Sequence, residues 1–211
     1  MLTRRALLFC LSLTALTGLA GVSAYAEPND LATRASAFVN TLGSDAVATM
    51  ADKSLTKIRR VERFRGLFQK DFDIPTIAHF ALGRYWNDAT PGQRREYLKE
   101  FEIMVVRSYA AHFDTYGGGT FRILNSRPDS DHDAFVMTEV APFKGPPTKV
   151  AWRVRQRDDH LGIIDVVVEG VSMSVTQRQE FSSVIQAKAG SIDAFIQSLR
   201  DKNAAIASAA P

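Results

Sequence analysis

Residues 148–168 read TKVAWRVRQRDDHLGIIDVVV and decide the fold. Val150, Trp152 and Val154 occupy every second position, with arginines among them, and this period of two is typical of a strand with one apolar and one wet face. Two aspartates and a histidine at 158–160 mark a turn, and a second apolar run follows it. The stretch therefore predicts two antiparallel strands joined by a tight turn.

Two segments upstream have the same period. Phe121 and Ile123 alternate in the first segment, and Val136 starts the alternation of the second. Residues typical of turns follow the two segments, at 127–129 and 144–147. Four strands that follow one another with short connections predict an antiparallel meander.

The chain before the strands has helical spacing. Between residues 30 and 71 apolar side chains recur every three or four positions, which predicts two helices joined near residues 51–53. A third helix is predicted from Asp73-Ile74-Pro75 to Leu82, because proline suits the first helical turn.

A long helix is predicted over residues 90–116. Thr90 and Gln93 have the spacing of a capping box, in which each side chain accepts a hydrogen bond from the other residue's backbone N–H. The apolar residues of this helix cover an arc of roughly 140°, wider than the seam of a coiled coil. This width indicates that the helix lines something large.

Helical spacing returns after Gly170, around Phe181 and then after a predicted cap at Ser191. Helices, a meander and helices again predict an α+β fold, with the helices packed on one face of a curved four-stranded antiparallel sheet. The small residues of 203–211 predict a disordered tail.

The first 26 residues have the features of a signal peptide. Arg4 and Arg5 precede an apolar run, and Ala24-Tyr25-Ala26 is typical of a cleavage site. The arginine pair fits the general secretory route and also the twin-arginine route, and the choice stays open. We expect residues 27–202 to form one exported domain without a membrane anchor, because no later run is apolar enough to span a bilayer.

Charge and cysteine content argue against two classes of function. Of 26 basic residues, Arg4 and Arg5 belong to the predicted signal peptide, which leaves 24 against 23 acidic ones. This near-neutral balance does not supply the basic field that nucleic-acid binding needs. Cys10 also lies in the signal peptide, so the predicted mature chain has no disulfide and no thiol ligand or nucleophile.

Signals for catalysis are weak, and we predict no catalytic residue, metal or cofactor. The four histidines lack the i, i+4 spacing that places two imidazoles on one metal. Residues 170–174 approach a nucleophile elbow, but Ser174 stands where its last glycine is needed. Asp165 lies in an apolar strand; on the outer face it would pair with an arginine, and on the inner face it would be an acid with a perturbed pKa.

Large apolar residues are abundant for one domain, with 13 Phe, 5 Tyr, 2 Trp and 5 Met. They fit a filled hydrophobic core and also the lining of a ligand cavity. Composition and periodicity alone favour the filled core, because a helix over a curved sheet can close without leaving a void.

Three separated blocks of the chain carry a family resemblance. They are Phe72-Asp73-Ile74 through Leu82-Gly83-Arg84-Tyr85-Trp86, Ala89-Thr90-Pro91-Gly92-Gln93-Arg94 through Tyr109-Ala110, and Val150-Ala151-Trp152-Arg153-Val154 through Arg178-Gln179-Glu180-Phe181. In this order they resemble the MlaC (toluene-tolerance) family of periplasmic phospholipid-binding proteins. The blocks and the segments between them cover residues 30–202.

The resemblance implies a periplasmic, monomeric lipid carrier and not an enzyme. Members of the family shuttle phospholipid between an outer-membrane lipoprotein complex and an inner-membrane ABC transporter complex. A sister branch is associated with hopanoid synthesis and transport, and the sequence does not separate the two branches.

The family function favours an apolar cavity enclosed by the helices and the sheet. We expect the acyl chains to lie between the helix of residues 90–116 and the apolar sheet face, with the headgroup outside. The periodicity selects the following lining residues: Leu82, Trp86, Phe101, Val105, Tyr109, Phe121, Ile123, Val136, Val150, Trp152, Val154, Ile164, Val166 and Val168.

Two alternatives to a carrier remain. A small cone-shaped isomerase or dehydratase would need a base such as Asp165 or His112 aimed into the cavity. A periplasmic chaperone or adaptor would instead have apolar surface patches and no enclosed void.

Overall fold

The computed structural model describes residues 30–52, 54–110, 119–142 and 145–209. Within these ranges the helices are α1 Asp30–Ala51, α2 Lys57–Asp71, α3 Ile74–Leu82, α4 Tyr85–Asp88, α5 Pro91–Ala110, α6 Met173–Ala187 and α7 Ile192–Ala209. The strands are β1 Thr120–Pro128, β2 Asp133–Ala141, β3 Thr148–Arg157, β4 His160–Val168 and β5 Val171–Ser172. The predicted signal peptide, residues 111–116 of the predicted long helix and Lys144 of the predicted 144–147 turn lie outside the described residues.

Side-chain caps fix the starts of the helices where the sequence predicts them. Thr90 Oγ1 accepts from Gln93 N at 3.2 Å, and Gln93 Oε1 accepts from Thr90 N at 2.9 Å, which confirms the capping box. Asp73 caps α3 by accepting from Thr76 N at 3.1 Å. These caps satisfy backbone N–H groups that a helix start leaves without partners.

The sheet is antiparallel, with strand order β1-β2-β3-β4-β5. Its centre is in the register that the alternation predicts, since Val136 lies opposite Trp152, and Trp152 lies opposite Val166. The α+β class and the meander are confirmed. The sheet has one strand more than the predicted four, because β5 pairs with the end of β4 over only two residues.

One hydrophobic core lies between α1 and the sheet. α1 packs on β1 and β2, and its Ala35 and Val39 meet Val136, Val154 and Ile163, all of them 0% exposed. Each of these valine and isoleucine side chains contributes roughly 1.5–3 kcal/mol through its burial. This core attaches α1 to the inner face of the sheet.

A second core lies among the helices. Tyr97 and Phe101 of α5 pack with Phe181 of α6 and Phe195 of α7, with ring centroids 4.8–6.2 Å apart. The main packing partner of α5 is α7. The described part of α5 thus packs on helices, and α1 packs on the inner face of the sheet.

The segment between α2 and α3 joins the two cores. Phe72 forms a parallel bridge to Ile163 of β4, and Asp73 N donates to the Ile163 carbonyl at 2.9 Å. Backbone hydrogen bonds thus hold the start of the helical layer against the sheet.

The C-terminal segment is helical up to Ala209, which corrects the prediction of a disordered tail from Asn203. Asn203 is 3% exposed, and its Nδ2 donates to Glu100 Oε2 at 2.8 Å. Arg107 donates to the Asn203 carbonyl at 2.6 Å. The small alanines around Asn203 carry little periodic signal, so the sequence did not reveal this contact with α5.

No helix in the described part of the chain is both long enough and apolar enough to cross a membrane.

Candidate functional site

The predicted lining residues fall into two groups. The helical group belongs to or packs near the core among the helices; it consists of Leu82, Trp86, Phe101, Val105 and Tyr109. The sheet group lies on the strands; it consists of Phe121, Ile123, Val136, Val150, Trp152, Val154, Ile164, Val166 and Val168. The fourteen residues thus divide between the helices and the strands.

All residues of the sheet group except Ile164 lie on one face of the sheet. Directly paired residues of neighbouring strands point to the same side of a sheet, so Val136, Trp152 and Val166 form a row across β2, β3 and β4. A register shift follows on β3 and β4, and it places Ile163 opposite Val154. Ile163 therefore takes the inner position that the alternation assigned to Ile164.

Aromatic rings extend this inner face from the sheet to α2. The ring of Trp152 lies 6.2 Å from Phe121 on β1 and 6.5 Å from Phe72, and Phe72 lies 4.6 Å from Phe68 on α2. We call these four residues the aromatic row. Phe68 is buried, whereas Phe72, Phe121 and Trp152 retain partial exposure.

The polar atoms within the inner face are paired. Trp152 Nε1 donates to Thr138 Oγ1 at 2.9 Å, and Thr138 Oγ1 donates to the Val150 carbonyl at 3.1 Å. Thr138 is fully buried, so the indole N–H and the hydroxyl satisfy each other away from water. The inner face consequently presents hydrocarbon and ring surface, which suits methylene chains.

Phe121 approaches α1 closely at Gly43. Its ring lies directly over Gly43 of α1, at the position that a side chain on residue 43 would occupy. Glycine is therefore what allows the edge strand β1 to pack against α1 at this point.

The helical group is mostly part of a filled core. Leu82 and Phe101 are buried there, and the neighbouring Tyr97 hydroxyl donates to the Ala78 carbonyl at 2.8 Å. Burial raises the pKa of Tyr97 well above its ordinary value. Tyr109, near the described end of α5, is 46% exposed and belongs to neither core.

Two open clefts lie beside α1 and α2 in the described ranges. Their volumes are about 440 and 350 Å³. They are lined by Leu55, Arg59, Glu62 and Arg63, and by Asp45, Ala48, Thr49, Asp52, Arg63 and Leu67. Three charged side chains line each cleft, and none of the fourteen predicted lining residues belongs to either cleft.

The comparison with protein families identifies the family of this chain. Residues 40–201 match the model of the family described as MlaC protein. The chain belongs to the MlaC family. The matched range starts within α1 and ends within α7, so it includes the core among the helices, the aromatic row and the strand side of the other core, whereas Ala35 and Val39 of α1 precede it.

A solved structure gives a close likeness to this MlaC fold. It is the phospholipid-binding protein from Ralstonia solanacearum in complex with a phospholipid. The TM-score is 0.72 at 25% sequence identity, over 82% of this chain and 98% of that one. The similarity thus extends over almost the entire relative.

Two acidic residues of this MlaC family member have structural partners. Asp165 accepts from the Ser172 hydroxyl at 2.6 Å and from Ser174 N at 3.0 Å, so it anchors the start of α6 to β4 and does not form the expected arginine pair. Asp133 is 2% exposed and binds Arg155 through two hydrogen bonds of 2.7 and 2.8 Å. The Arg155 hydrogen bonds lower the pKa of Asp133 below its ordinary value.

Histidine and carboxylate side chains do not assemble into a metal site anywhere in the described ranges, where groups of three or more potential ligands are lacking. His79 is exposed, and its ring stacks 4.7 Å from Trp86. His112, which the sequence offered as a candidate base, lies outside the described residues.

Proposed function

We propose that the protein is a periplasmic carrier that binds a phospholipid by its acyl chains. It would shuttle the lipid between an outer-membrane lipoprotein complex and an inner-membrane ABC transporter complex. The observation that carries the proposal is the shared fold with a relative solved in complex with a phospholipid. The apolar inner face of the sheet, with its paired polar atoms, supports it.

We place the acyl chains against the sheet group and the aromatic row. Phe121, Ile123, Trp152 and Val166 are partly exposed, so each still has surface that a bound chain could cover. Leu82 and Phe101 of the helical group are already enclosed by protein and have almost no surface left. Their proposed role is to hold the helical layer together.

Lipid uptake in this proposal requires α1 to move relative to the sheet. Gly43 and Phe121 are in direct contact, and Val39 and Val136 fill the space beside them. When no lipid is bound, the contact between α1 and the sheet leaves no apolar void. Such a void would be unfavourable, because the side chains around it would lack dispersion contacts. Acyl chains would restore these contacts as they enter.

The energetics explain why a carrier must enclose the chains. Two acyl chains with about thirty carbons would cost about 25 kcal/mol to expose to water, at ~0.8 kcal/mol per methylene. Transfer from a bilayer to an apolar protein surface is close to neutral, because both environments are apolar. Direction must therefore come from the partner complexes.

We propose carriage and not catalysis for this face. The carboxylate of Asp165 accepts from the Ser172 hydroxyl, from Ser174 N at the start of α6 and from Val166 N of β4. A general base needs hydrogen-bond reach to a substrate proton, and this arrangement uses Asp165 to fix secondary structure instead. A hopanoid in place of a phospholipid remains the alternative ligand.

The test is the lipid content of protein purified from its native host. Solvent extraction and mass spectrometry should find phospholipid in the wild type and a several-fold lower load in Trp152→Asp, since a carboxylate in an apolar site is strongly disfavoured. Val171→Asp is the matched control, because Val171 is 53% exposed on β5 and should retain the wild-type load.

Three results would count against the proposal. Wild-type protein without lipid would contradict carriage, and a hopanoid in place of phospholipid would assign the protein to the other branch. A full load in Trp152→Asp with a native circular dichroism spectrum would refute the placement on the sheet. If Trp152→Asp does not fold, Phe121→Ser provides the same test at a partly exposed position.

A further inference from the structure

The two open clefts beside α1 and α2 share one lining residue, Arg63. The larger, of about 440 Å³, is lined by α2 and by Leu55, which precedes that helix. The smaller, of about 350 Å³, lies between the C-terminal half of α1 and α2, and we call it the α1–α2 cleft. Its lining consists of Asp45, Ala48, Thr49, Asp52, Arg63 and Leu67.

The α1–α2 cleft adjoins the proposed acyl-chain site. Gly43, which contacts the Phe121 ring, precedes Asp45 by two residues on α1. Leu67 lines the cleft and also packs against the core between α1 and the sheet, and its neighbour Phe68 belongs to the aromatic row. A lipid whose acyl chains lie against the sheet group can therefore place its headgroup in this cleft.

The α1 side of the cleft offers oxygen acceptors. Asp45 is exposed, and in the part of the chain that the structure describes its carboxylate has no hydrogen bond or ion pair. Thr49 lies one helical turn further on and is only 8% exposed, but its hydroxyl has no hydrogen-bond partner among the described residues. A polar group on a buried residue normally has a partner, so the Thr49 hydroxyl points to a ligand in the cleft.

The α2 side of the cleft offers guanidinium groups. Arg63 Nη1 lies 3.5 Å from Asp52 Oδ2, while Asp52 Oδ1 accepts from Ser54 N at 2.9 Å. Arg59, which lines the larger cleft together with Arg63, lies 3.2 Å from Glu62. The side chains of Arg59 and Arg63 are 73% and 59% exposed, and ion pairs at such positions stabilise a protein little. Their N–H groups are therefore accessible to a phosphate, which arginine binds well.

Carboxylates on one side and arginines on the other are complementary to a headgroup that carries both an ammonium and a phosphate. An anionic headgroup without an ammonium would leave Asp45 unpaired. A primary ammonium has three N–H groups, which can donate to the Asp45 carboxylate and the Thr49 hydroxyl. A quaternary ammonium lacks these donors and is recognised by aromatic faces, and none of the described residues that line this cleft is aromatic.

We propose that the α1–α2 cleft binds the headgroup of the carried lipid and selects a phospholipid with a primary ammonium, of the ethanolamine type. The ammonium donates to Asp45 and Thr49, and Arg63 donates to the phosphate. This inference rests on the proposed carrier function and adds to it the headgroup chemistry of the ligand. Because the cleft is open to water, the headgroup contributes selectivity, whereas the acyl chains contribute most of the affinity.

Uptake from vesicles of mixed composition tests this selection. Delipidated protein is incubated with vesicles that contain phosphatidylethanolamine, phosphatidylcholine and phosphatidylglycerol in equal amounts and with identical acyl chains. The protein is then re-isolated, and mass spectrometry gives the ratio of the bound lipids. The wild type should take up phosphatidylethanolamine about threefold or more over each of the other two phospholipids, since contacts in an open cleft give a modest preference.

Three variants in the same assay locate the selection. Asp45→Asn should bring the preference close to one, because the amide lacks the charge that pairs with the ammonium. Thr49→Val keeps the shape of the side chain but removes the hydroxyl, and should lower the preference in part. Asp159→Asn is the matched control, because Asp159 is exposed in the turn between β3 and β4 and outside the cleft lining, and it should keep the wild-type preference.

The headgroup site and the carrier function fail in different ways. A wild type that takes up the three phospholipids equally, or an Asp45→Asn variant that keeps the full preference, would overturn the headgroup site and leave carriage intact. Loss of preference in Asp45→Asn and Asp159→Asn alike would indicate a general effect of charge and would also overturn the site. A wild type that takes up none of the three phospholipids would contradict the carrier function itself.

Discussion

At the scale of single residues, Gly43 has a role that its lack of a side chain explains. The Phe121 ring occupies the space beside it, so a methyl group on residue 43 would overlap the ring. We expect Gly43→Ala to lower the free energy of unfolding by roughly 1–3 kcal/mol, because overpacking forces side chains or backbone to shift. Urea denaturation measures this change.

Gly66 supplies the control for this substitution. It lies within α2, and nothing is within 4 Å of the position that its side chain would take. Gly66→Ala should raise the free energy of unfolding by roughly 0.5–1 kcal/mol, since alanine favours a helix interior. Equal effects of the two substitutions would contradict the close approach of Phe121 to α1.

Asp133 should make the stability depend on acid pH. Hydrogen bonds from Arg155 lower its pKa in the folded state below the ordinary 3.8, so its contribution is present above that value and is lost as the pH falls below it. Asp133→Asn should be less stable than the wild type at pH 7 and lose less stability on acidification. Urea unfolding at a series of pH values between about 2.5 and 7 measures both effects.

Asp71 should make the stability depend on pH in the opposite direction. Desolvation raises its pKa above 3.8 in the folded state, so its contribution is present at low pH and is lost as the pH rises through the folded-state value. Asp71→Asn should therefore gain stability relative to the wild type as the pH rises. Parallel pH profiles for both variants and the wild type would refute the two assignments.

At the scale of elements, the features that the sequence predicted correctly depend on residues close together in the chain. The Thr90 and Gln93 capping box, the start of α3 after Asp73 and the alternation around Trp152 all depend on residues close in the chain, and each is where it was predicted. The register shift that brings Ile163 inward depends on how two strands pair. A strict period of two cannot show such a shift, so Ile164 was chosen instead.

The position of α5 could not be read from its own residues. The apolar arc that includes Tyr97 and Phe101 shows that this helix is buried, but the same arc would suit a sheet or a layer of helices. Phe181 and Phe195, which decide the matter, lie about a hundred residues further along the chain. The residues of α5 alone therefore could not show which elements this helix packs against.

The last helix, α7, provides a test that distinguishes the disordered tail expected from the sequence from the helix that the structure shows. A chain shortened after Lys202 would lose only a tail if the sequence-based expectation were right. Because Asn203 bonds Glu100 and Arg107, we expect the shortened chain to lose roughly 1–3 kcal/mol of stability, with a lower melting temperature. Asn203→Ala should show much of this loss, and unchanged melting of both variants would restore the disordered tail.

At the scale of the whole molecule, our proposal gives the two cores different roles: one stabilises the fold, and the other binds the lipid. In the core among the helices, aromatic rings pack against one another. The core between α1 and the sheet includes side chains that are only partly buried. A ligand that binds only the native state stabilises it by mass action, and most strongly where it adds contacts. Lipid should therefore act unevenly on the two halves.

Hydrogen exchange of lipid-loaded and delipidated protein tests this division. Loading should slow amide exchange in α1 and in β1 to β4, around Phe121 and Trp152, because the acyl chains add contacts there and hinder the opening of these elements. Exchange in α5 and α7, around Phe101 and Phe195, should change little, and these helices serve as the internal control. Protection that appears mainly in α5 would instead place the chains beside that helix, as the periodicity of residues 90–116 first indicated.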